Sequence, residues 1–380
     1  MHVFVYGTLL HETLFRIVAG PGDRAAFRKA WLDGFAVERA AGTCLPMLRE
    51  RTEARANGVI WFGLSQAQRD RLEDYEVPFG YTPVIRDVQT EEGEVPALVF
   101  FPPPAQQSSG ESWDFGQWTD AEAGKAIYAA EELDLHVPRL RGADMVRQWP
   151  MIAARAWSRD RAGRGAVLPA FRHVPAPGDW SCEVAAPLAG SFFKLATMRI
   201  GHRRFDGEWE RGLLREVLVG VDAALLLPYD PCRDRVMLIE QFRAGPARRG
   251  DPYPWTLEPV AGIVDAGEGP EQTARREAGE EAGLNILAIE RMFGFYPSPG
   301  SDTDYFTCFV GLCDLVDHQP LHGGLAGESE DIRLHVMSRQ QALTLVDNGE
   351  VTTGPLVAML FWLDRQAARL RHSYGSGQTP

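Results

Sequence analysis

Cysteine is scarce in this chain and never clustered. The five cysteines, Cys44, Cys182, Cys232, Cys308 and Cys313, show no Cys-x-x-Cys or Cys/His ligand spacing. That argues against a thiolate zinc site and a disulfide-built scaffold, and it reads as reduced thiols in a cytoplasmic protein. Long apolar runs are also missing: the longest, Leu356 to Leu363, is far too short to span a bilayer, so no membrane segment is expected. Positive charge is in deficit, with 39 Lys and Arg against 52 Asp and Glu and a formal net charge of -13. Such a surface repels a phosphate backbone and speaks against nucleic acid as a partner. It also means that any phosphate-bearing small molecule needs a local cation to receive it. The first residues, MHVFVYGTLL, lack a basic region and a cleavage site, and read as a strand rather than a signal peptide.

What is present is ordinary soluble composition, 45% hydrophobic and 24% charged, over 380 residues without an internal repeat. That length predicts two domains. Strand-like runs (HVFVYGT, GVIWFGL, PALVFF) flank a polar helical stretch at Ser65–Tyr75. The stretch PPPAQQSSGESWDFGQ reads as a loop or linker. Helical patterns follow at about 120–132 and 139–159, the second running through Arg155, Arg159, Arg161 and Arg164 into DRAGRGA, a hinge or a solvated basic helix end. From about Leu168 strands dominate (FFKLATMRI, REVLVGVDAALLLPYD, RVMLIEQFRA, YFTCFVGLCDL). A last helix is expected from Pro355 to about Arg371, before a polar tail.

The stretch AGIVDAGEGPEQTARREAGEEAGL, Ala261 to Leu284, holds five glutamates: Glu268, Glu271, Glu277, Glu280 and Glu281. Pro270 and Gly283 mark a helix start and stop, and Glu277, Glu280 and Glu281 then share one helix face. Like charges at that spacing repel, so they are solvated, paired with Arg275 and Arg276, or gathered around a cation. Mg²⁺ takes carboxylate oxygens and leaves positions for water and phosphate. Ala274 and Ala278 on another face are small enough to pack against a sheet.

The spacing Gly262, five residues, Glu268, seven residues, then REAGEEAGL from Arg276 to Leu284 resembles the Nudix box at every fixed position. Ala278 alone is smaller than the aliphatic often found there. The resemblance implies an α/β (α+β) chain with a C-terminal Nudix α/β/α sandwich that hydrolyses nucleoside diphosphate derivatives with Mg²⁺, or Mn²⁺ as the alternative ion. It implies Glu277, Glu280 and Glu281 as metal ligands and Arg276 as the partner that orients Glu268. The flanking strings LLLPYDPCRDRVMLIEQFRAG, LEPVAG and GLAGESEDIRLHVMSR, and Pro299 beyond the box, resemble bacterial ADP-ribose pyrophosphatases over about Ala189 to Arg371. That subfamily adds the Ala261 carbonyl as a metal ligand, Arg243 as the diphosphate contact, and Glu328 as general base, with Glu330 the alternative. It implies a homodimer in which an N-terminal strand segment is exchanged, Phe192 or Phe193 stacks on adenine and Arg215 reaches the partner's site. A core role for either phenylalanine stays open. ADP-ribose, GDP-mannose and other nucleotide sugars all remain candidate substrates, as does a sensor that binds without hydrolysis.

At the other end, VFVYGTLL and RLEDYEVPFGY resemble the gamma-glutamylcyclotransferase-like (AIG2-like) family, a small mixed β-barrel/α domain. The resemblance implies Glu76 as acid/base and Tyr6, Gly7, Thr8 and Leu9 as the binding loop. Pro83 stands where that family often has an arginine two residues after its Tyr81 equivalent, which puts the activity of this domain in question. The expected domains are 1–104 (cyclotransferase-like), 105–167 (linker and helical connector), 168–371 (Nudix) and 372–380 (tail).

Overall fold

The computed structural model describes residues 2–22, 26–164, 170–315, 322–324 and 330–374. The chain divides into two compact units, Met1–Arg215 and Glu216–Pro380.

In the first unit the elements are β1 (His2–Val5), a 3-10 turn (Thr8–Leu10), α1 (Glu12–Ala19), β2 (Phe27–Ala40), β3 (Pro46–Trp61), α2 (Gln66–Glu76), a second 3-10 turn (Val77–Phe79), β4 (Thr82–Thr90), β5 (Gly93–Phe101), β6 (Ser108–Ser112), α3 (Phe115–Asp134) and α4 (Gly142–Arg164). Strands run in the order β3-β1-β5-β4-β2, and β2 pairs again with β3, closing a five-stranded barrel. The period-two pattern of β1 explains its place. Phe4 and Tyr6 point into the barrel with Leu32, Ile60 and Val99. Val3 and Val5 face the other way, into a core shared with Phe15 of α1 and Trp118 of α3. α2 starts on a capping box: the Gln68 amide donates to Ser65 Oγ at 3.2 Å and the Ser65 amide to Gln68 Oε1 at 3.0 Å.

The stretch expected as a linker is partly structured. Ser108–Ser112 adds to the edge of β2, with Ser108 Oγ donating to the Glu38 carboxylate. Asp114 caps α3, its carboxylate accepting from the Gln117 amide at 2.8 Å. α3 then gives Trp118, Ala123 and Ala130 to the core of the first unit. The expected hinge is helical through Arg164; residues 165–169 lie outside the described part. Arg155 is buried there rather than solvated, and donates to both Glu132 oxygens at 2.6 to 3.1 Å. Strands β7 (Trp180–Val184), β8 (Lys194–Arg203) and β9 (Trp209–Val219) form a separate three-stranded sheet, and β9 runs across the unit boundary.

The second unit holds β10 (Asp222–Asp230), β11 (Arg235–Phe242), α5 (Ala244–Arg249), β12 (Trp255–Glu258), β13 (Val260–Ile263), α6 (Pro270–Ala282), β14 (Ala288–Phe295), β15 (Tyr305–Leu312), β16 (His322–Gly323), β17 (Ile332–Ser338), α7 (Arg339–Asp347) and α8 (Gly354–Tyr374). Its mixed sheet runs β14-β15-β10-β11-β17-β16, with β12 on β11 and β13 on β10. The near-continuous apolar strands β10 and β11 are covered on both faces. One face packs Leu226, Met237 and Ile239 under Ala274, Ala278 and Ala282 of α6. The other packs Leu225, Leu227 and Leu238 under Leu356, Leu360 and Leu363 of α8. The result is an α/β/α sandwich. α8 continues three residues past the expected end, to Tyr374. No helix among the described residues is long and apolar enough to cross a membrane.

Candidate active site

α6 is built to bring its alanine face close to the sheet and so hold its carboxylates against β13. Pro270 occupies its first turn, and Gly283, at φ 62°, ends it in the left-handed conformation that glycine adopts without strain. The Leu284 amide closes back on the Ala278 carbonyl at 2.9 Å. Glu277 lies so near β13 that a Cβ on Gly262 would sit 1.9 Å from its Oε1.

The cation among these glutamates is Arg276. It donates to Glu268 Oε1 at 3.1 Å, Glu277 Oε1 at 2.7 Å and Glu280 Oε2 at 2.8 Å, and reaches the Ile263 carbonyl at 3.4 Å. Burial works against its charge, but Glu268, Glu280 and Glu277 more than offset this and raise its pKa. The bond with Arg276, joined by Thr273 Oγ1 donating at 2.8 Å, lowers that of Glu268. Glu281 is 2% exposed and receives a hydrogen bond from the Ala261 amide at 3.1 Å. Burial, with the charges of Glu277 and Glu330 adding to it, lifts its carboxyl to about 8; burial likewise lifts Glu277 to about 7.

A buried acid and a half-buried one set side by side in this way favour a nearby positive charge. Glu277, Glu280 and Glu281 are the hard oxygen donors that Mg²⁺ takes. As they stand, no three acidic, histidine or cysteine side chains among the described residues form a closed metal shell. Glu277 and Glu280 are instead engaged by Arg276. The donors fit a divalent ion by chemistry, on condition that it takes over Glu277 from the arginine.

Arg243 follows β11 and is clasped by Glu258 of β12, with Nε–Oε1 at 2.9 Å and Nη2–Oε2 at 2.6 Å. Glu281 and Glu330 also act on its charge, which places Arg243 in the field of both acids. Glu258 is a residue that sequence reasoning missed. Thr256 and Glu258 share one face of a short strand, and Thr256 Oγ1 donates to Glu258 at 2.6 Å; that polar alternation was the available signal. Glu328 lies outside the described residues. Pro299 sits in the connection between β14 and β15. Phe192, Phe193 and Arg215 belong to the first unit. The two rings are 51% and 55% exposed and meet edge to face at 5.0 Å, so neither serves the core. Arg215 turns back on the Leu214 carbonyl at 2.8 Å.

The first unit has its own site, a cavity of about 340 Å³. Its wall includes Tyr6, Gly7, Thr8, Leu9, Tyr75, Glu76 and Tyr81. Glu76 ends α2, anchored one turn earlier by the fully buried Leu72. Burial lifts its carboxyl to about 7 from an ordinary 4.5. Tyr6 donates to the Phe100 carbonyl at 2.6 Å and Tyr81 to that of Pro46 at 3.2 Å, so both hydroxyls are committed to the frame. Pro83 pairs with Phe100 in β4–β5.

Two families match this arrangement. The NUDIX domain matches residues 221–358, and "Gamma-glutamyl cyclotransferase, AIG2-like" matches residues 3–120. An ADP-ribose pyrophosphatase of Escherichia coli (strain K12) is 41% identical over 183 residues, 48% of this chain and 87% of that protein. One from Haemophilus influenzae is 36% identical over 185 residues, 48% of this chain and 85% of its own length. A GDP-mannose pyrophosphatase of Escherichia coli (strain ATCC 8739) is 32% identical over 176 residues, covering 46% and 90%. With the box helix, its acids and the barrel cavity in place, the chain belongs to the Nudix hydrolases of the ADP-ribose pyrophosphatase type, fused to a gamma-glutamylcyclotransferase-like N-terminal domain.

Proposed function

We propose that the C-terminal half hydrolyses the diphosphate of a nucleotide sugar, ADP-ribose before GDP-mannose, giving AMP and ribose 5-phosphate from ADP-ribose. The observation that carries this reading is the pair of acids with raised pKa, the buried Glu281 and the half-buried Glu277, set against β13. Mg²⁺ would be held by Glu277, Glu280, Glu281 and the Ala261 carbonyl, and when bound supplies phosphoryl polarisation and a more acidic water. The chain's own residues do the rest. Arg276 braces Glu268, Glu277 and Glu280 as one unit. The Ala261 amide orients Glu281. Arg243, held by Glu258, offers the diphosphate the local cation that a net charge of -13 requires. Glu328 or Glu330 takes the proton of the attacking water. Higher identity to ADP-ribose pyrophosphatases than to the GDP-mannose enzyme supports the order of substrates. A cytoplasmic homodimer, with Phe192 and Arg215 completing the partner's site, belongs to the same proposal.

The test is a panel of nucleoside diphosphate sugars with purified protein and Mg²⁺, scored by the monophosphate released. ADP-ribose is expected to lead. Glu281→Gln is expected to lower its turnover by about 100-fold or more while the protein stays folded. A variant with wild-type turnover would remove the assignment, and tight ADP-ribose binding without AMP release would favour the sensor.

A second reading concerns the first unit: an acid of pKa about 7 in a closed-barrel cavity fits a γ-glutamyl cyclotransferase, releasing 5-oxoproline from γ-glutamyl amines. Its test is 5-oxoproline release by the wild type and not by Glu76→Gln.

A further inference from the structure

We infer that Trp149 makes the Glu76 cavity selective for γ-glutamyl compounds whose leaving amine carries an uncharged, apolar body, an alkyl or aralkyl amine rather than an amino acid. The inference rests on the cyclotransferase reading of that cavity and concerns the half of the substrate which that reading leaves undefined.

Three observations carry it. First, Trp149 lies on α4, beyond the residues 3–120 that match the family, yet it lines the cavity. It packs edge to face on Phe79 at 5.0 Å. Phe79 belongs to the turn that directly follows Glu76, so the added helix shapes the wall beside the acid. Second, among the described residues the wall holds no lysine, arginine or histidine. Phe4, Tyr6, Tyr75, Phe79, Tyr81, Phe100 and Trp149 provide its aromatic surface, and Glu76 is the one carboxyl among the described lining residues. A second carboxylate on the leaving side, as in a γ-glutamyl amino acid, would be desolvated there beside an acid and without a cation to pair with. An apolar body instead gains ring contact and releases water. Third, two wall residues are large apolar side chains that remain partly exposed, Leu45 at 44% and Phe79 at 36%, so the exposed part of the wall is itself apolar.

The reaction needs no further reagent. The substrate α-amine loses a proton to Glu76, and its nitrogen forms the new C–N bond at the γ-carbonyl carbon. The γ-amide C–N bond breaks as its nitrogen receives that proton. The products are 5-oxoproline and the free amine, with no net gain or loss of atoms.

The experiment uses the full chain with three probes: γ-glutamyl benzylamide, γ-glutamyl methylamide and γ-glutamylalanine. Both 5-oxoproline release and calorimetric binding are read. The wild type is expected to favour the benzylamide by about tenfold or more in kcat/KM, the discrimination an apolar pocket gives one added group. Trp149→Ala is expected to cost the benzylamide about tenfold more than the methylamide, chiefly in KM, and Trp149→Phe to keep the preference. Equal losses on both amides would make Trp149 a purely structural residue and overturn the inference, as would a preference for γ-glutamylalanine. If no probe yields 5-oxoproline, the cyclotransferase reading falls, and binding decides the inference. Tighter benzylamide binding that Trp149→Ala abolishes supports it; no binding of any probe overturns it.

Discussion

Glu76, half-buried on its cavity wall, and Glu281, buried, both carry raised pKa values, but their surroundings assign them different work. Glu281 receives the Ala261 amide and lies in the field of Glu277 and Glu330, a setting that calls for a cation. Glu76 has aromatic neighbours and, among the described residues, no hydrogen-bond donor, a setting that suits proton transfer. Its cost to the fold follows from the same burial. Between pH 4.5 and about 7 the folded state keeps a proton that the unfolded state has lost. Stability from this group is therefore complete below pH 4.5 and declines as pH rises through 7, by about 3 kcal/mol at most. Glu76→Gln removes the ionisation. Urea unfolding of the first unit should show the variant more stable than wild type at pH 8, with the gap closing by pH 4. An equal gap at both values would mean that Glu76 ionises freely in the folded protein. Catalysis runs the opposite way, since the base form is needed: 5-oxoproline release should rise through pH 7.

Elements set these residues in place, and the box helix shows how. On Gly262 of β13, an added Cβ would meet the Glu277 side chain from its carboxylate to Cγ rather than backbone. Moving a flexible side chain costs the fold little, but Glu277 is a ligand of the proposed cation. Gly262→Ala should therefore change Tm by only a degree or two and lower nucleotide-sugar hydrolysis by about 100-fold, the cost of displacing a reacting group by about an ångström. Parallel losses of Tm and activity would mean that the strand, not the ligand, had given way. The same element shows what is legible in sequence. Pro270 and Gly283 announce its ends and the shared glutamate face follows from helical geometry, because these are local rules. Local rules also carry α2, read at 65–75 and found at Gln66–Glu76. What depends on distant partners is not legible. Nothing near Arg243 names Glu258, and nothing near Trp149 places it beside Phe79. The Ser-rich stretch misleads for a related reason: Ser108–Ser112 is a strand because β2 offers it an edge, not because serine favours strands.

At the scale of the molecule, two cores and two sites share one chain. The barrel unit has its own interior around Phe4, Ile60 and Val99, and the sandwich unit has its own two faces around β10 and β11. Each contains the described residues of its own candidate site, except that Phe192, Phe193 and Arg215 lie in the first unit. Separate cores predict separate unfolding, so the chain should not melt as one two-state body. Scanning calorimetry is expected to show two transitions. A methylene-bridged analogue of ADP-ribose, added with Mg²⁺ at 100 times its Kd, should stabilise one of them by about 2.7 kcal/mol through mass action on the folded state. Glu76→Gln at pH 8 identifies the other, because it raises only the transition of the unit that contains it. If the analogue and the substitution shift the same transition, or a single transition carries both shifts, the two units fold and respond as one, and the division at Arg215 has no energetic meaning.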